Sequence, residues 1–281
     1  MMGGRFSRSW ELAKASWAVL MSDRSLLIYP IVSGIAVVIL GALIAGPLFA
    51  FGIIDSADTE SFGIAQIAGL FVLYFVCYLA IFFCNTALVS VVMRRLNGDT
   101  APYSGWSFAS SRIGTIAGYA AIAATVGVAL RLLASKSENL GRIAAAIGGA
   151  AWSIATFLTV PVLVVEKLGP IDTIKRSAGL LRKTWGEQII GNAGIGLATG
   201  LATFVVILLG GGLVLLAYAT GVTVLIGLAV VIALIAFAIV IVVSSALDAI
   251  FRAALYRYAT DRTTSSYPAS GLLPEAFAPK K

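Results

Sequence analysis

Long apolar stretches separated by short charged segments dominate the chain. A helix that crosses a bilayer needs about 20 mostly apolar residues, and six stretches reach that length. We predict spans at residues 26–54, 62–92, 113–133, 143–165, 189–219 and 222–247. The pattern therefore predicts an all-α, polytopic integral membrane protein with six transmembrane helices. We expect one membrane domain over residues 1–262 and a flexible tail over 263–281.

The longest charged interruption runs from Glu166 to Gln188. At helical spacing, one face collects apolar side chains and the basic residues lie off it. The apolar set is Ile171, Ile174, Ala178, Leu181 and Trp185, and the basic set is Lys175, Arg176, Arg182 and Lys183. This pattern predicts an amphipathic anchor helix over residues 170–188, lying in the cytoplasmic interface of the membrane.

A similar pattern occurs near the N-terminus, 168 positions earlier. The matching pairs are Arg8 with Arg176, Ser9 with Ser177, Leu12 with Leu180, Lys14 with Arg182, Ser16 with Thr184, and Trp17 with Trp185. We predict a first anchor helix over residues 5–21 and interpret the two as an internal repeat. The alternative to a repeat is convergence, in which two unrelated interfacial helices both contain Arg, Lys and Trp because these residues favour the interface. Each anchor precedes a hairpin of spans, so the repeat would be parallel.

The distribution of Lys and Arg predicts the orientation. Basic residues occur at the N-terminus, after span 2, in the central anchor and in a C-terminal amphipathic helix predicted over 248–262. The links after spans 1 and 5 carry none. By the positive-inside rule, both termini are cytoplasmic, and we expect a multi-pass protein of the cell (plasma or inner) membrane. The link from Ala134 to Arg142 is the exception, because its basic residues would face outward.

Composition supports a membrane protein. Hydrophobic residues make up 59% of the chain and charged residues 12%, whereas soluble domains have about 45–50% and about 25%. The net charge is +7, but no polar domain carries a basic patch, so we expect no nucleic-acid partner.

The chain contains few residues suited to catalysis. It has no histidine, which removes the usual proton shuttle and the commonest metal ligand. Cys77 and Cys84 lie too far apart on one helix for a disulfide. We therefore expect no catalytic residues, no metal and no cofactor, and predict that the protein is not an enzyme.

Two other sets of residues are predicted to matter. The membrane-interface set is Arg8, Trp10, Lys14, Trp17, Arg176, Arg182 and Trp185, which either select anionic headgroups or simply orient the fold. For helix packing we predict Gly196 and Gly200, whose spacing lets two helices approach closely, and Asn85, as an interhelical hydrogen-bonding residue. Gly114 and Gly118 repeat the small-residue pattern.

The segment Pro161 to Ser177, with Leu180 and Trp185, resembles a group of bacterial six-span membrane proteins. The group includes families of unknown function and the membrane domain attached to some glycerophosphodiester phosphodiesterases. The opening Arg8 to Trp17, with Tyr29 and Pro30, resembles the stand-alone families in particular. The resemblance implies a six-span α-helical membrane fold and no activity.

Two functions remain open from the sequence. The first is a scaffold, assembly factor or accessory subunit that packs against lipids, a second copy or another membrane protein. The second is a transporter or lipid-handling protein for neutral or lipid-like cargo.

Overall fold

The computed structural model describes residues 14–52, 63–99, 101–136, 139–185 and 194–261. Within these ranges every regular element is helical, so the all-α prediction is confirmed for them. The predicted tail, the acidic loop at 55–61, Arg8 and Trp10 lie outside the described residues.

The helices follow one another in chain order. Helix α1 covers residues 14–22 and is followed by a 3₁₀ turn at Arg24–Leu27. The others are α2 (Ile28–Ala50), α3 (Ile64–Leu96), α4 (Gly105–Ser111), α5 (Ile113–Ser135), α6 (Leu140–Ala155), α7 (Thr159–Glu166), α8 (Pro170–Trp185), α9 (Gly194–Ala219) and α10 (Thr223–Asp261).

Among the described residues, five helical segments are long and apolar enough to cross a membrane. They are Arg24–Ala50, Ile64–Leu96, Ile113–Ser135, Leu140–Glu166 and Thr223–Thr260. Large apolar side chains such as Val38, Leu216 and Leu234 are exposed along α2, α9 and α10. Lipid is the solvent that suits such surfaces. Helix length and composition thus make this a multi-pass membrane protein.

The sixth predicted span is not confirmed. Helix α9 runs from Gly194 to Ala219, but the part with described side chains, Thr203–Ala219, is shorter than the other candidate spans.

The described residues form two compact units, one of 31–184 and one of 14–30 with 185–261. In the first, α3 is central, because α4, α5 and α7 all pack against it, and α6 packs on α5. From Thr86 to Met93 every residue of α3 is buried. Over this stretch the helix is therefore buried on all sides and not on one apolar face only. This stretch is the core of that unit.

In the second unit, α9 and α10 form a helical pair, and the 3₁₀ turn packs against α10. The pair is close at Gly210, where an added Cβ would lie 3.1 Å from the Cβ of Ala233. A tight turn with Gly221 at φ +68° joins the two helices.

Two boundaries differ from those predicted. The amphipathic helix expected over 248–262 is not separate, because α10 continues from Thr223 to Asp261. No glycine or proline occurs between Leu228 and Asp261, so the helix has no reason to end at Asp248. The predicted fourth span, 143–165, is interrupted between α6 and α7.

Candidate membrane-interface site

Pro161 explains the interruption of the fourth span. Proline has no N–H to donate, and inside a helix its ring clashes with the carbonyl four residues earlier, here that of Phe157. Helix α6 ends at Ala155 and α7 begins at Thr159, which places Pro161 in the first turn of α7. First-turn N–H groups have no helical partner in any case, so proline fits there. The sequence contained this signal, but the prediction of one continuous span at 143–165 did not use it.

A hydroxyl from α8 satisfies the backbone at the break. The N–H of Leu158, the N-cap residue of α7, donates to Ser177 Oγ at 3.0 Å. Ser177 and Leu158 are both fully buried. Irregular backbone at membrane depth is tolerated only where protein or a cavity supplies the missing partners. Ser177 is therefore part of what permits a broken span.

The chain reverses direction between α7 and α8. Lys167 adopts the left-handed conformation (φ 52°) and ends α7, an uncommon conformation for a residue with a side chain. The carbonyl of Gly169 then accepts hydrogen bonds from the N–H and the hydroxyl of Thr173. Pro170 is the first residue of α8, where its fixed φ favours helix initiation.

The buried face of α8 differs from the predicted apolar stripe. Among its described side chains, from Pro170 to Lys183, the buried ones are Thr173, Ser177, Leu180 and Leu181, whereas Ile171 is 59% exposed. Only Leu181 belongs to both sets. The face is fixed by the Ser177 hydrogen bond and by Pro170, which touches Gly118 of α5, rather than by hydrophobicity alone.

One of the predicted interface cations is paired. Arg176 Nε donates to both carboxylate oxygens of Glu166, at 2.8 and 2.9 Å, which ties α8 to the end of α7. Lys175 and Asp172 approach to 3.9 Å on the exposed surface, where an ion pair contributes little.

The other interface residues are described in part. Lys14 and Arg182 are exposed, and Trp17 is 47% exposed. Trp185 is the last residue of α8, but its side chain lies outside the described part. The placing of this set in a membrane interface, and the repeat that includes Arg8 and Trp10, stay predictions.

The structure describes the surroundings of two of the three predicted packing residues, Gly200 and Asn85. A Cβ added at Gly200 would meet no atom within 4 Å, and the surroundings of Gly196 are not described. Asn85 is half-buried. The roles predicted for these three residues therefore remain predictions.

Other glycines make the close contacts. A Cβ at Gly118 would lie 2.6 Å from Pro170 Cγ, one at Gly127 would lie 2.9 Å from the ring of Tyr74, and one at Gly148 would lie 2.9 Å from Leu130. Gly118 was visible in the sequence through its spacing from Gly114. Gly127 and Gly148 have no glycine four residues away, so this spacing did not single them out.

An ion pair, a cation–π contact and hydrogen bonds stabilise the connection from α3 to α5. Asp99 pairs with Arg94, whose guanidinium lies 4.4 Å from the centre of the Tyr103 ring. Arg95 donates to the carbonyls of Asp99 and Ala101. The hydrogen bond from the Ala101 N–H, and then the one from Arg94, lower the pKa of the Asp99 carboxyl. The chain turns at residues 97–99, with Gly98 at φ +79°.

Helix α4 docks against α3 through an aromatic contact. The ring of Trp106 stacks on that of Phe83, with centroids 6.0 Å apart. This part of the chain is thus a short helix packed on the protein.

Polar groups in the core are mainly hydroxyls. Thr86, Ser90, Thr159, Thr173 and Ser177 are all buried in one unit. Among the described residues, no group of three or more His, Cys, Asp or Glu side chains could hold a metal ion.

These features define an α-helical, multi-pass membrane protein with a broken span and basic segments at helix ends. Comparison with protein families then gives its identity: the family described as "Family of unknown function (DUF6159)" matches residues 64–266. The chain belongs to this family. A search of curated proteins found no match to the chain, and neither did a search of solved structures.

Proposed function

We propose that this protein is a non-enzymatic integral membrane protein that acts as a scaffold, assembly factor or accessory subunit. The supporting observation is where the charged side chains of the described spans lie. In the first four candidate spans the charged side chains lie at or near the ends. In the last span they begin at Asp248. The full set is Arg24, Arg94, Arg95, Arg131, Arg142, Glu166, Asp248, Arg252 and Arg257. Sites that move ions or catalyse reactions usually hold ionisable groups inside the spans.

We further propose six spans, with α9 as the fifth in order. The helix from Gly194 to Ala219 has 26 residues, which exceeds the length that a span needs. With six spans, the basic segments after α3, around α8 and at the end of α10 all lie on one side. The positive-inside rule makes that side cytoplasmic, with both termini there and the protein in the cell membrane. Its partners are then lipids, a second copy or another membrane protein.

One observation favours a second function, transport or handling of neutral or lipid-like cargo. The fourth span is broken, and Thr86 and Thr159 have buried hydroxyls with no hydrogen-bond partner in the described structure. Broken helices with free polar groups form the binding sites of many transporters. Such a cargo would need few charges.

Native mass spectrometry after gentle extraction from membranes tests the proposal. A scaffold predicts a stable complex with another protein or a defined homo-oligomer. A monomer that carries one stoichiometric lipid or small molecule would contradict the scaffold and support the second function.

Asn85 provides a further distinction. Asn85→Ala should leave a scaffold complex intact, whereas it should impair a transport site that uses this amide. Gln66, another polar residue of the same predicted span, is unsuited to the test. Its side chain accepts a hydrogen bond from the Gly63 N–H and so caps the start of α3.

A further inference from the structure

Helix α8 contacts two candidate spans at a similar depth. Its first residue, Pro170, touches Gly118, which lies about one and a half turns into the span formed by α5. The Ser177 hydroxyl accepts from the N–H of Leu158, about two turns before the fourth candidate span ends. The short link between α5 and α6 puts these two span ends on the same side of the membrane.

These two contacts give α8 the position of an interfacial helix. At 1.5 Å per residue they lie about 7 Å and about 12 Å from the ends of the two spans. An amphipathic helix at a membrane surface lies about 5–10 Å deep, at the boundary between headgroups and acyl chains. Because α8 touches both spans near this depth, it runs across them and does not extend either one.

The protein covers only part of the apolar surface of α8. Beside the buried Leu181, going around the helix, come Ala178 and Ile174, which are half-buried, and then Ile171, which is 59% exposed. Ile171 follows Pro170 directly and so lies close to the depth of the α5 contact. An exposed apolar side chain at that depth is suited to contact with acyl chains.

Two cations lie beside this apolar surface. At about 100° per residue, Arg182 and Lys175 follow Ile171 around the helix. Both are exposed, and 75% of the Lys175 side chain is open to solvent. Their long side chains can keep an apolar stem near the acyl chains and a charged end among the headgroups. Lys183 is also exposed, but it lies about a quarter turn further around, away from the apolar surface.

The local charge favours an anionic partner. Residues 166–183 contain five basic and two acidic residues. One acidic residue, Glu166, is paired with Arg176. The other, Asp172, approaches Lys175 only to 3.9 Å on the exposed surface, where an ion pair contributes little. The positive charge that is left complements the phosphates of anionic lipids.

We propose that Ile171, Lys175 and Arg182 form a lipid edge that binds anionic phospholipids. Ile171 lies among the acyl chains, and the two cations contact the headgroup phosphates. The lipid edge deepens the proposed function by naming one partner class, and it rests on the membrane placement and not on the scaffold role. It also divides the predicted interface residues, because Arg182 belongs to the edge whereas Arg176 pairs within the protein.

Lipid titration of the full-length protein, read by native mass spectrometry, tests the lipid edge. Phosphatidylglycerol and phosphatidylcholine are added separately to wild type, Lys175→Gln, Lys183→Gln and the double variant Lys175→Gln/Arg182→Gln. Lys183→Gln is the matched control, since it removes the same charge from an exposed lysine of the same helix.

Wild type should bind phosphatidylglycerol more tightly than phosphatidylcholine. Lys175→Gln should bind phosphatidylglycerol about fivefold more weakly and the double variant about thirtyfold more weakly, the effect of losing one and two cations close to anionic headgroups. Lys183→Gln should weaken it by about twofold at most, because salt at physiological strength screens charges more than about 8 Å apart. Phosphatidylcholine, whose headgroup has no net charge, should bind equally to all four proteins.

Three results would overturn the lipid edge. The first is unchanged phosphatidylglycerol binding by the double variant. The second is an equal loss in Lys175→Gln and Lys183→Gln, which would show a diffuse attraction to the whole helix. The third is complete displacement of phosphatidylglycerol by millimolar inorganic phosphate, which would identify a soluble-anion site.

The depth of the two sides of α8 gives a test that does not depend on lipid selectivity. Nitroxide labels are attached to Ile171→Cys and Lys183→Cys, in full-length protein without Cys77 and Cys84 in liposomes. Oxygen, which concentrates among acyl chains, should relax the label at position 171. A water-soluble nickel chelate should relax the label at position 183. Labels that both respond mainly to the chelate would place this side of α8 in water and contradict the proposal.

The lipid edge and the scaffold role can fail separately. Neither measurement involves a protein partner, so a protein that forms its complex without distinguishing the two lipids contradicts only the lipid edge. A monomer that binds phosphatidylglycerol at this edge would contradict the scaffold role and leave the lipid edge standing.

Discussion

Single hydroxyl groups have different energetic roles around the broken span. Thr173 donates to the Gly169 carbonyl at 2.7 Å, while the buried Thr159 hydroxyl has no partner in the described structure. A buried polar group without a hydrogen bond costs about 1–3 kcal/mol, whereas a satisfied one stabilises by about 1 kcal/mol. Loss of the hydroxyl should thus lower the stability of the protein at Thr173 but not at Thr159.

Thr159→Val should leave the thermal stability in detergent unchanged or raise it. Valine has nearly the shape of threonine and the same β-branching, so the change removes only the unpaired hydroxyl. Thr173→Val should lower stability by about 1 kcal/mol. A loss of stability in Thr159→Val as large as that in Thr173→Val would mean that the Thr159 hydroxyl is satisfied, for example by internal water.

The repeat motif illustrates what single residues could and could not predict. The sequence singled out Arg176, Ser177 and Leu180 by their recurrence, and the structure gives each a contact: Glu166, Leu158 and the core, respectively. It did not predict those partners, because hydrophobic periodicity ranks serine and threonine as polar and therefore exposed. In α8, Thr173 and Ser177 are buried because they hydrogen-bond irregular backbone. Hydrophobic periodicity does not detect such bonds.

At the scale of helices, one glycine controls how α8 approaches α5. Gly118→Ala should destabilise the protein, because its Cβ would lie 2.6 Å from the Pro170 ring and a ring fixed at a helix start cannot move easily. We expect a loss of about 1–3 kcal/mol, measured by thermal unfolding in detergent.

Gly114→Ala is the matched control for that substitution. Gly114 lies one turn earlier in α5, and a Cβ there would meet nothing within 4 Å. Alanine should be neutral there or stabilise by up to about 1 kcal/mol, because it favours helix more than glycine does. Equal effects at the two positions would contradict the close contact of α5 with α8.

The continuity of α10 can be tested where the sequence had placed a boundary. Leu247→Pro should cost about 3 kcal/mol or more, because proline inside a helix loses a hydrogen bond and clashes with the preceding turn. Leu247→Ala controls for loss of the side chain. Two separate helices meeting at Asp248 would instead tolerate the proline, and its stability would then match that of the alanine variant.

Helices were predicted more reliably than their ends. The third predicted span, 113–133, corresponds to α5 at Ile113–Ser135, since a long apolar run with few charges admits one interpretation. The break between α6 and α7 was missed because the apolar run 143–165 was taken as one helix, without regard to the clash of Pro161 with the residue four positions earlier. The extension of α10 was missed because a change in polarity was taken for a change in structure.

At the scale of the whole molecule, orientation is the main testable prediction. Single cysteines at Thr220 and at Lys175, in a background without Cys77 and Cys84, report the two sides of the membrane. An impermeant thiol reagent added to intact cells should label Thr220→Cys and not Lys175→Cys. Both positions are exposed, so access depends on the side alone. Ser177 is a poor choice because it is fully buried. Labelling of Lys175→Cys from outside would reverse the proposed topology.

Helix α10 has a mechanical consequence. With 39 residues it measures about 58 Å at 1.5 Å per residue, while the hydrocarbon core is about 30 Å thick. Its apolar part lies toward Thr223 and its charged part toward Asp261, so the excess length emerges at the C-terminal end. The apolar and charged parts form one unbroken helix. A force applied to the end outside the bilayer would therefore tilt or rotate the part that lies in lipid. A molecule bound to that end could thus move the membrane-embedded part of the helix without any change in secondary structure.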